Sequence, residues 1–490
     1  MRPEPSARRI FGGTLVGLLL VQAAWILALP AFRGIDEFDH VYKATAVARW
    51  QWLDDGPPTE GRGGLVTIPA NIVRAARSEC QRYNYTEAAN CVGTPASDPH
   101  QQRIATAASR YNPAYYLIVG TIARPFDGAA ADYVMRAVTA LLCALLLAWS
   151  AALLVRCSGP SWVALIFTIG ITPVLVYSTS IASPNGLTYA GAALLWASIA
   201  AFTRTYERRG QLALPATIGA VALTATHTTG PMWLALTGVT ALVLVPRQQW
   251  FTALRTDLRT WTTAGSVVMF AVLLSVVWVR HASTNALGPA QDQGHAAIGE
   301  LFGLQFLWAL QAIAAYPTRN EHPPVFVYAL WAVLLLAALM WTARVARPRL
   351  RLALGLLLAM LVVVPTTLTV IAYPHQGPVW QGRYSLPLWM GVLVVMLLAI
   401  PQVSRPPRRI LVHTVVAMTT VAVATSVVWV AHREAGDGLG GNPALGGSPW
   451  ELVLLALLAI AGCCAPWGLG AFDEDAPRTV QEPETVSWAS

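Results

Sequence analysis

The sequence predicts an all-α protein, a polytopic transmembrane helix bundle of about 12 spans with juxtamembrane helices and loops on its outer face. Composition is the first observation, because 55% of the 490 residues are hydrophobic and only 12% are charged, with a mean hydropathy of +0.50. Soluble chains carry about 25% charged residues. Patterning is the second observation, since apolar runs alternate with short connections that contain arginine. Backbone groups in lipid must bond internally, so these runs are predicted to be helices.

Each predicted span has the roughly 20 apolar residues needed to cross the hydrocarbon. The spans lie near residues 10–30, 131–155, 161–181, 186–203, 211–228, 231–246, 261–279, 324–343, 352–372, 384–402, 410–431 and 450–468. Arginine is concentrated in alternate connections, and positive residues are enriched in cytoplasmic loops. This pattern predicts a multi-pass protein of the inner (plasma) membrane with both termini in the cytoplasm.

The predicted transmembrane domain covers residues 1–471, and the acidic, proline-containing segment 472–490 is predicted to be a disordered cytoplasmic tail. An apolar stretch from Tyr111 to about Phe126 is too short to span and is predicted to be a juxtamembrane helix. Three outer segments are longer than turns, namely 31–130, 280–323 and 373–383.

Cys80 and Cys91 share the first outer segment, whereas the other four cysteines lie in or beside spans. An outer location permits oxidation, so the two are candidates for a disulfide. Two unpaired thiols are the alternative, because sequence does not supply the Cα separation that bridging requires.

An acidic cluster follows the first span directly. Five consecutive positions contain four ionisable residues, namely Asp36, Glu37, Asp39 and His40. Placing them at a membrane surface costs free energy unless they are hydrated, paired with other groups or engaged in a function. Such groups can take a proton from an acceptor hydroxyl or hold a divalent cation, although the sequence defines no metal site and requires no cofactor. The alternative is an N-terminal helix cap.

Arg383 is the best phosphate-binding candidate, because it begins a span from the outer side, where arginine is less expected. Its planar guanidinium suits a pair of phosphate oxygens, and Gln381 and Tyr384 flank it. Interfacial contact with lipid headgroups is the alternative explanation.

Further substrate-binding candidates lie at helix ends. Arg110, Tyr111 and Asn112 precede the predicted juxtamembrane helix. Asn185 begins the fourth span, where its side chain can either cap the helix or form a hydrogen bond with a substrate. His227 is an ionisable group near the outer end of a span, where a functional role competes with a hydrogen bond inside the bundle.

Several of these motifs resemble the GT-C superfamily of polyprenyl-phosphate-dependent glycosyltransferases. They are the acidic pair after the first span, the Tyr-Asn-Pro-x-Tyr-Tyr sequence and Arg136 early in the second span. The sequences Ile-Asp-Glu-Phe-Asp-His-Val-Tyr, Ser-Pro-Asn-Gly at residues 183–186 and Gln-Gly-Arg-Tyr-Ser-Leu-Pro-Leu more closely resemble an uncharacterised family of bacterial predicted membrane proteins in the same broad group. The resemblance covers most of the chain.

The resemblance implies a GT-C-like fold and transfer of a sugar from a polyprenyl-phosphate donor to an envelope glycan or lipid acceptor. Asp36 or Glu37 matches the catalytic acidic residue of the superfamily. Many members carry His-Pro-Pro or Lys-Pro-Pro before the juxtamembrane helix, whereas this chain has Arg-Tyr-Asn-Pro at 110–113. The expected partners are membrane lipids, the donor and the acceptor. Nucleic acid is not expected, because the basic residues lie mainly between spans.

Two other functions remain open at this point. They are a transporter or flippase for lipid-linked saccharides or small solutes, and a polysaccharide polymerase. A transporter should place polar residues near the bilayer midplane on broken helices, whereas here the ionisable residues cluster at outer span ends. The sequence has no Walker A motif and no dinucleotide-binding glycine motif, which argues against ATP-driven transport and nucleotide-sugar chemistry.

Overall fold

Helices form nearly all of the regular structure in the computed structural model, which describes residues 5–57, 63–82, 90–155, 157–204, 209–282, 294, 296–316, 322–378, 380–400, 409–436 and 449–468. The helices are α1 (Pro5–Ala28), α2 (Glu37–Val47), α3 (Ala70–Arg82), α4 (Pro113–Ala123), α5 (Gly128–Leu154), α6 (Pro160–Gly170), α7 (Pro173–Ser178), α8 (Pro184–Arg204), α9 (Ala213–Thr226), α10 (Gly230–Leu244), α11 (Arg247–Thr256), α12 (Leu258–His281), α13 (Ile298–Ile313), α14 (Val325–Val345), α15 (Pro348–Gln376), α16 (Leu386–Ala399), α17 (Arg409–Gly436) and α18 (Pro449–Gly468). The predicted all-α membrane bundle is confirmed.

Eight helical segments of the described chain are long and apolar enough to cross a membrane. They are 7–28, 128–154, 184–204, 258–281, 325–345, 348–375, 382–399 and 409–434. A ninth span results if α10 and α11, which meet at a bend of 105°, are taken together. By length and composition the described residues thus contain eight or nine candidate spans, compared with the expected number of about twelve, and all twelve predicted runs are largely helical.

The shorter runs end where proline or glycine interrupts the helix. The predicted span 161–181 divides into α6 and α7 before Pro173, because proline has no backbone N–H to continue the hydrogen-bond ladder. The predicted spans 211–228 and 231–246 become α9 and α10, with 14 and 15 residues. The final apolar run, in α18, is also shorter than a span.

The centre of the bundle is built from α1, α5, α8 and α16. Helix α1 packs against α5 and α18, and α8 packs against α5, α9 and α16. Small residues allow close approach, as between α1 and α18, where a Cβ on Gly17 would lie 2.5 Å from the carbonyl oxygen of Gly462. Nearly every residue of α8 is buried, so this helix lies inside the bundle rather than against lipid.

The segment between α1 and α5 folds as a compact unit. It contains α2, α3 and α4 with a three-stranded antiparallel sheet of order β1-β3-β2, formed by β1 (Gly64–Pro69), β2 (Thr94–Pro95) and β3 (Gln101–Thr106). The sequence analysis did not anticipate this sheet. A disulfide joins Cys80 to Cys91 with a Cα separation of 5.4 Å. Helix α4 supplies the short helix expected after Tyr111, and it packs on α2.

The acidic tail 472–490 and most of the residues between α12 and α13 lie outside the described chain.

Candidate functional site

A strained connection between α1 and α2 carries Asp36. Phe32 and Asp36 adopt left-handed backbone conformations with φ of 64° and 55°. Such conformations cost about 1–3 kcal/mol each and persist only where the surrounding structure imposes them. The Asp36 side chain forms no capping hydrogen bond with α2. Helix capping therefore does not explain this carboxylate.

A fully buried ion-pair node holds the connection in place. The Glu37 carboxylate accepts hydrogen bonds from Arg136 Nη2 at 2.6 Å and Nε at 2.8 Å. It also accepts from the backbone N–H of Gly34 and of Ala182, both at 2.7 Å. Asp132, four residues before Arg136 on α5, pairs with the same guanidinium at 3.2 Å. The node thus ties the start of α2 to α5 and to the turn before α8.

Adjacent acidic residues consequently have opposite environments. Glu37 is fully buried and accepts four hydrogen bonds, so its lone pairs are occupied by the protein. The side chain of Asp36 is 24% exposed. This geometry favours a positioning role for Glu37 over the catalytic role expected from the sequence, and leaves Asp36 as the carboxylate that a substrate can reach.

Asp36 forms an ion pair with Arg383, although 347 positions separate them in the chain. Asp36 Oδ2 lies 3.3 Å from Arg383 Nη2, and the guanidinium carbon lies 5.4 Å from the centre of the Tyr384 ring. The arginine is nearly buried, with 5% of its side chain exposed. The structure thus brings together the carboxylate and the phosphate-binding candidate that the sequence singled out separately.

Helix α13 fixes the backbone before Arg383. The Gly382 N–H donates to Gln311 Oε1 at 2.9 Å, and Trp308 Nε1 donates to the Trp380 carbonyl at 3.1 Å. A Cβ on Gly382 would lie 1.9 Å from the Trp308 carbonyl oxygen, so only glycine allows this contact.

A row of rings lies beside the ion pair. The ring centre of His40 lies 5.9 Å from that of Tyr111, which lies 6.2 Å from His227. His227 in turn lies 5.7 Å from Tyr384. Residues from α2, from the connections before α4 and after α9, and from the short 3-10 helix Gly382–Ser385 therefore converge. We call these four residues, with Asp36 and Arg383, the convergent site.

His40 is neutral at neutral pH. Burial lowers the pKa of His40 from 6.5 to about 4, against the opposing effect of the Asp36 carboxylate. Its Nδ1 lies 2.8 Å from the hydroxyl of Tyr116 on α4. A neutral imidazole adds no competing positive charge beside Asp36.

The hydrogen bonds of His227 define its tautomer. Its Nδ1 lies 3.2 Å from the backbone nitrogen of Thr229, which can only donate, and 2.8 Å from Thr229 Oγ1. Nδ1 is therefore an acceptor without a proton, and the ring proton is on Nε2. His227 consequently presents an N–H donor on its other edge.

Two of the other sequence candidates bind neighbouring protein groups. Asp39 Oδ1 accepts a hydrogen bond from the backbone N–H of Ala107 at 2.7 Å. Arg110 Nε donates to Asp54 Oδ2 at 3.1 Å, in a pair in which the arginine side chain is 37% exposed. The first bond holds the chain before Tyr111 against α2, and the second holds it against the loop that follows α2. Substrate contacts for either residue stay predictions.

Asn112 and Asn185 occupy helix starts. Asn112 caps α4, because its side chain accepts a hydrogen bond from the backbone N–H of Ala114 at 3.0 Å. The Asn185 amide donates to Ser183 Oγ at 3.2 Å. Capping or local bonding accounts for both side chains, so the structure gives no independent reason to place them on a substrate.

The sequence analysis missed two residues that shape the site. Asp132 could have been found from its position four residues before an intramembrane arginine. Lys43, the only lysine in the chain, donates from Nζ to the carbonyl oxygens of Trp52 and Ser109. Burial lowers the pKa of Lys43 to about 8. Its contacts are to backbone oxygens, which indicates a structural role.

No set of three or more His, Cys, Asp or Glu side chains in the described chain is arranged to hold a metal ion. The expected divalent cation thus has no candidate site in this part of the protein, and it stays a prediction.

Comparison with known proteins finds a family whose matched range contains all six residues of the convergent site. A family model described as "Predicted membrane protein (DUF2142)" matches residues 19–392. No curated protein matches the sequence.

Proposed function

For this chain, which belongs to the DUF2142 family of predicted membrane proteins, we propose a glycosyltransferase function. The enzyme transfers a sugar from a polyprenyl-phosphate donor to a glycan or lipid acceptor on the extracytoplasmic face of the inner membrane. Both termini are cytoplasmic in this proposal, which follows the distribution of arginine among the loops.

The observation that carries the proposal is the Asp36–Arg383 pair. Asp36 is the general base that takes the proton of the acceptor hydroxyl, whose oxygen forms a bond to the anomeric carbon of the donor. The bond between that carbon and the phosphate oxygen breaks, and its electron pair leaves with the polyprenyl phosphate. Arg383 stabilises the negative charge of this leaving group. The 3.3 Å separation allows both groups to contact one substrate.

The rings of the convergent site support the same chemistry. His227 has an Nε2–H that can donate to a sugar or phosphate oxygen. His40 stays neutral, so it does not form an ion pair with Asp36, and the carboxylate stays able to accept the proton of the substrate. Tyr111 and Tyr384 offer aromatic faces of the kind that pack against the apolar face of a pyranose ring.

An apolar cavity in the bundle supports a lipid-linked substrate. It is bordered by α1, α6, α7, α14, α17 and α18, and most of its lining residues are apolar. Val176 lines it, and the next residue, Tyr177, accepts a hydrogen bond from the backbone N–H of Ile35 beside Asp36. Helix α7 therefore connects this space to the strained segment that presents the base. Its apolar lining suits an isoprenoid chain.

The proposal is tested by incubating the purified full-length protein in nanodiscs with a panel of polyprenyl-phosphate sugars and candidate acceptors. We expect one donor class to release polyprenyl phosphate only when an acceptor hydroxyl is present. Arg383→Gln should slow this release by about 10²-fold or more, because the leaving group loses its counter-charge. In proteoliposomes, movement of intact lipid-linked saccharide across the bilayer without release of polyprenyl phosphate would replace the proposal with a transporter function.

A further inference from the structure

Buried hydrogen-bonding groups without partners surround the phosphate-binding candidate. Among the described residues, Arg383 Nε, Gln381 Nε2 and the hydroxyl of Tyr189 have no hydrogen-bond partner. These residues are 4%, 4% and 1% exposed. Native proteins satisfy the large majority of buried polar groups, so several unsatisfied ones near one charged residue call for a ligand or ordered water.

The packing of α8 on α16 places Tyr189 at the level of Arg383. Trp196 Nε1 donates to the Pro387 carbonyl at 2.9 Å, and Arg204 Nη2 donates to the Leu398 carbonyl at 2.6 Å, so the two helices run parallel. Tyr189 precedes Trp196 by seven residues, or about 10 Å of helix. Arg383 precedes Pro387 by four residues, about 8 Å in a 3-10 turn.

The same face of α8 carries both aromatic residues, because positions seven apart lie two helical turns from each other. Tyr189 accordingly interacts electrostatically with the guanidinium of Arg383 and with the ring hydroxyl of Tyr384. The sequence analysis did not select Tyr189, since a tyrosine within an apolar run is ordinary core composition.

The unsatisfied groups share one chemistry. A guanidinium N–H and an amide NH₂ can only donate, and a neutral phenol donates readily. Donors gathered beside a positive charge fit an anion that has several oxygens, and a phosphate group meets that description. We infer that Tyr189 donates a hydrogen bond to the phosphate group of a lipid-linked ligand that is held by Arg383, with the amide of Gln381 as a further donor.

This inference deepens the proposed function and rests on it for the identity of the ligand, because it assigns residues to the leaving phosphate. Phosphate binding is nevertheless measurable without turnover. A protein that binds prenyl phosphate through Tyr189 but transfers no sugar would refute the proposed enzyme and leave the binding site intact. Sugar transfer at the wild-type rate by a Tyr189 variant would instead refute the role of Tyr189 and leave the proposed enzyme intact.

The test uses Tyr189→Phe, which removes only the hydroxyl. Binding of farnesyl phosphate, inorganic phosphate and farnesol to the full-length protein in nanodiscs is measured by calorimetry. We expect wild type to bind farnesyl phosphate more tightly than inorganic phosphate. Tyr189→Phe should weaken farnesyl phosphate binding about tenfold, equal to about 1.4 kcal/mol, while farnesol binding is unchanged.

Tyr316→Phe is the matched control, because it removes an equally buried hydroxyl from the aromatic cluster of Trp25 and Tyr177. Its binding should equal that of wild type. The inference is overturned if Tyr189→Phe binds farnesyl phosphate like wild type, or loses farnesol binding to the same extent. A loss confined to inorganic phosphate also overturns it, since the site would then serve a free ion.

Discussion

At the scale of single residues, the comparison between Asp36 and Glu37 shows how little sequence adjacency says about role. Asp36 lies before α2 in a left-handed conformation, whereas Glu37 is the first residue of the helix. One carboxylate therefore reaches Arg383 at 3.3 Å, and the other enters the bundle to bind Arg136 at 2.6 Å. The sequence identified the pair as important. It could not separate a partly exposed carboxylate from a fully buried one.

The buried imidazole of His40 predicts a pH dependence of stability. The pKa of His40 is about 4 in the folded protein and about 6.5 in the unfolded chain, so below pH 6.5 the unfolded chain binds more protons. Stability should fall as the pH drops from about 6.5 to about 4, by about 3 kcal/mol, and this contribution should be flat above pH 6.5. The measurement is the thermal unfolding midpoint against pH for wild type and His40→Gln.

In His40→Gln, this part of the acid sensitivity should be absent, because glutamine does not titrate. The control is His100→Gln, at an exposed position between β2 and β3, which should leave the profile unchanged. Equal acid sensitivity in wild type and His40→Gln would show that folding does not lower the pKa of His40.

At the scale of elements, the Glu37–Arg136 node connects the strained segment to the bundle. Arg136 also donates to the carbonyl oxygens of Leu29 at 2.9 Å and Pro30 at 2.7 Å, at the end of α1. The Arg136 guanidinium therefore holds together the end of α1, the start of α2, helix α5 and, through Glu37, the turn before α8. The node explains how the left-handed conformation of Asp36 is maintained.

Glu37→Gln should destabilise the protein strongly. Breaking a buried pair by removing one charge typically costs about 3–5 kcal/mol, because the partner is left uncompensated. The unfolding midpoint in detergent should fall, and Glu300→Gln, at an exposed acidic residue on α13, should have little effect. A Glu37→Gln protein that unfolds like wild type but has lost sugar transfer would instead indicate direct catalysis by Glu37.

The helices were predictable at this scale because their apolar runs are long and their ends carry proline or arginine. The division of residues 161–181 into α6 and α7 was harder to see, since one proline in an apolar run is compatible with a kinked span as well as a broken one. The three-stranded sheet was missed because its strands have at most six residues. Candidate site residues were predictable from their types and positions, and only tertiary packing shows which of them converge.

At the scale of the whole molecule, the orientation in the membrane decides which compartment the convergent site faces. The disulfide between Cys80 and Cys91 agrees with an oxidising compartment for residues 31–127. A cysteine at Ser97, an exposed position after β2, should react in intact cells with a membrane-impermeant thiol reagent. Gly63 is unsuitable for this label, because its φ is 88° and a Cβ there would lie 2.0 Å from the Thr106 carbonyl oxygen.

Labelling of Ser97→Cys only after cell lysis would reverse the proposed orientation and place the convergent site in the cytoplasm. The unsubstituted protein is the control, since Cys143, Cys157, Cys463 and Cys464 form no disulfide in the described part of the chain.

The central claim is that Asp36 is the general base, and the most direct test is the rate of transfer by Asp36→Asn. The measurement is the single-turnover release of polyprenyl phosphate by the full-length protein, with Asp98→Asn as the control on the turn that leads into β3. We predict a loss of about 10²- to 10⁴-fold for Asp36→Asn in protein that is folded and still binds the donor, and wild-type rates for Asp98→Asn. Transfer at the wild-type rate by correctly inserted Asp36→Asn would contradict the account.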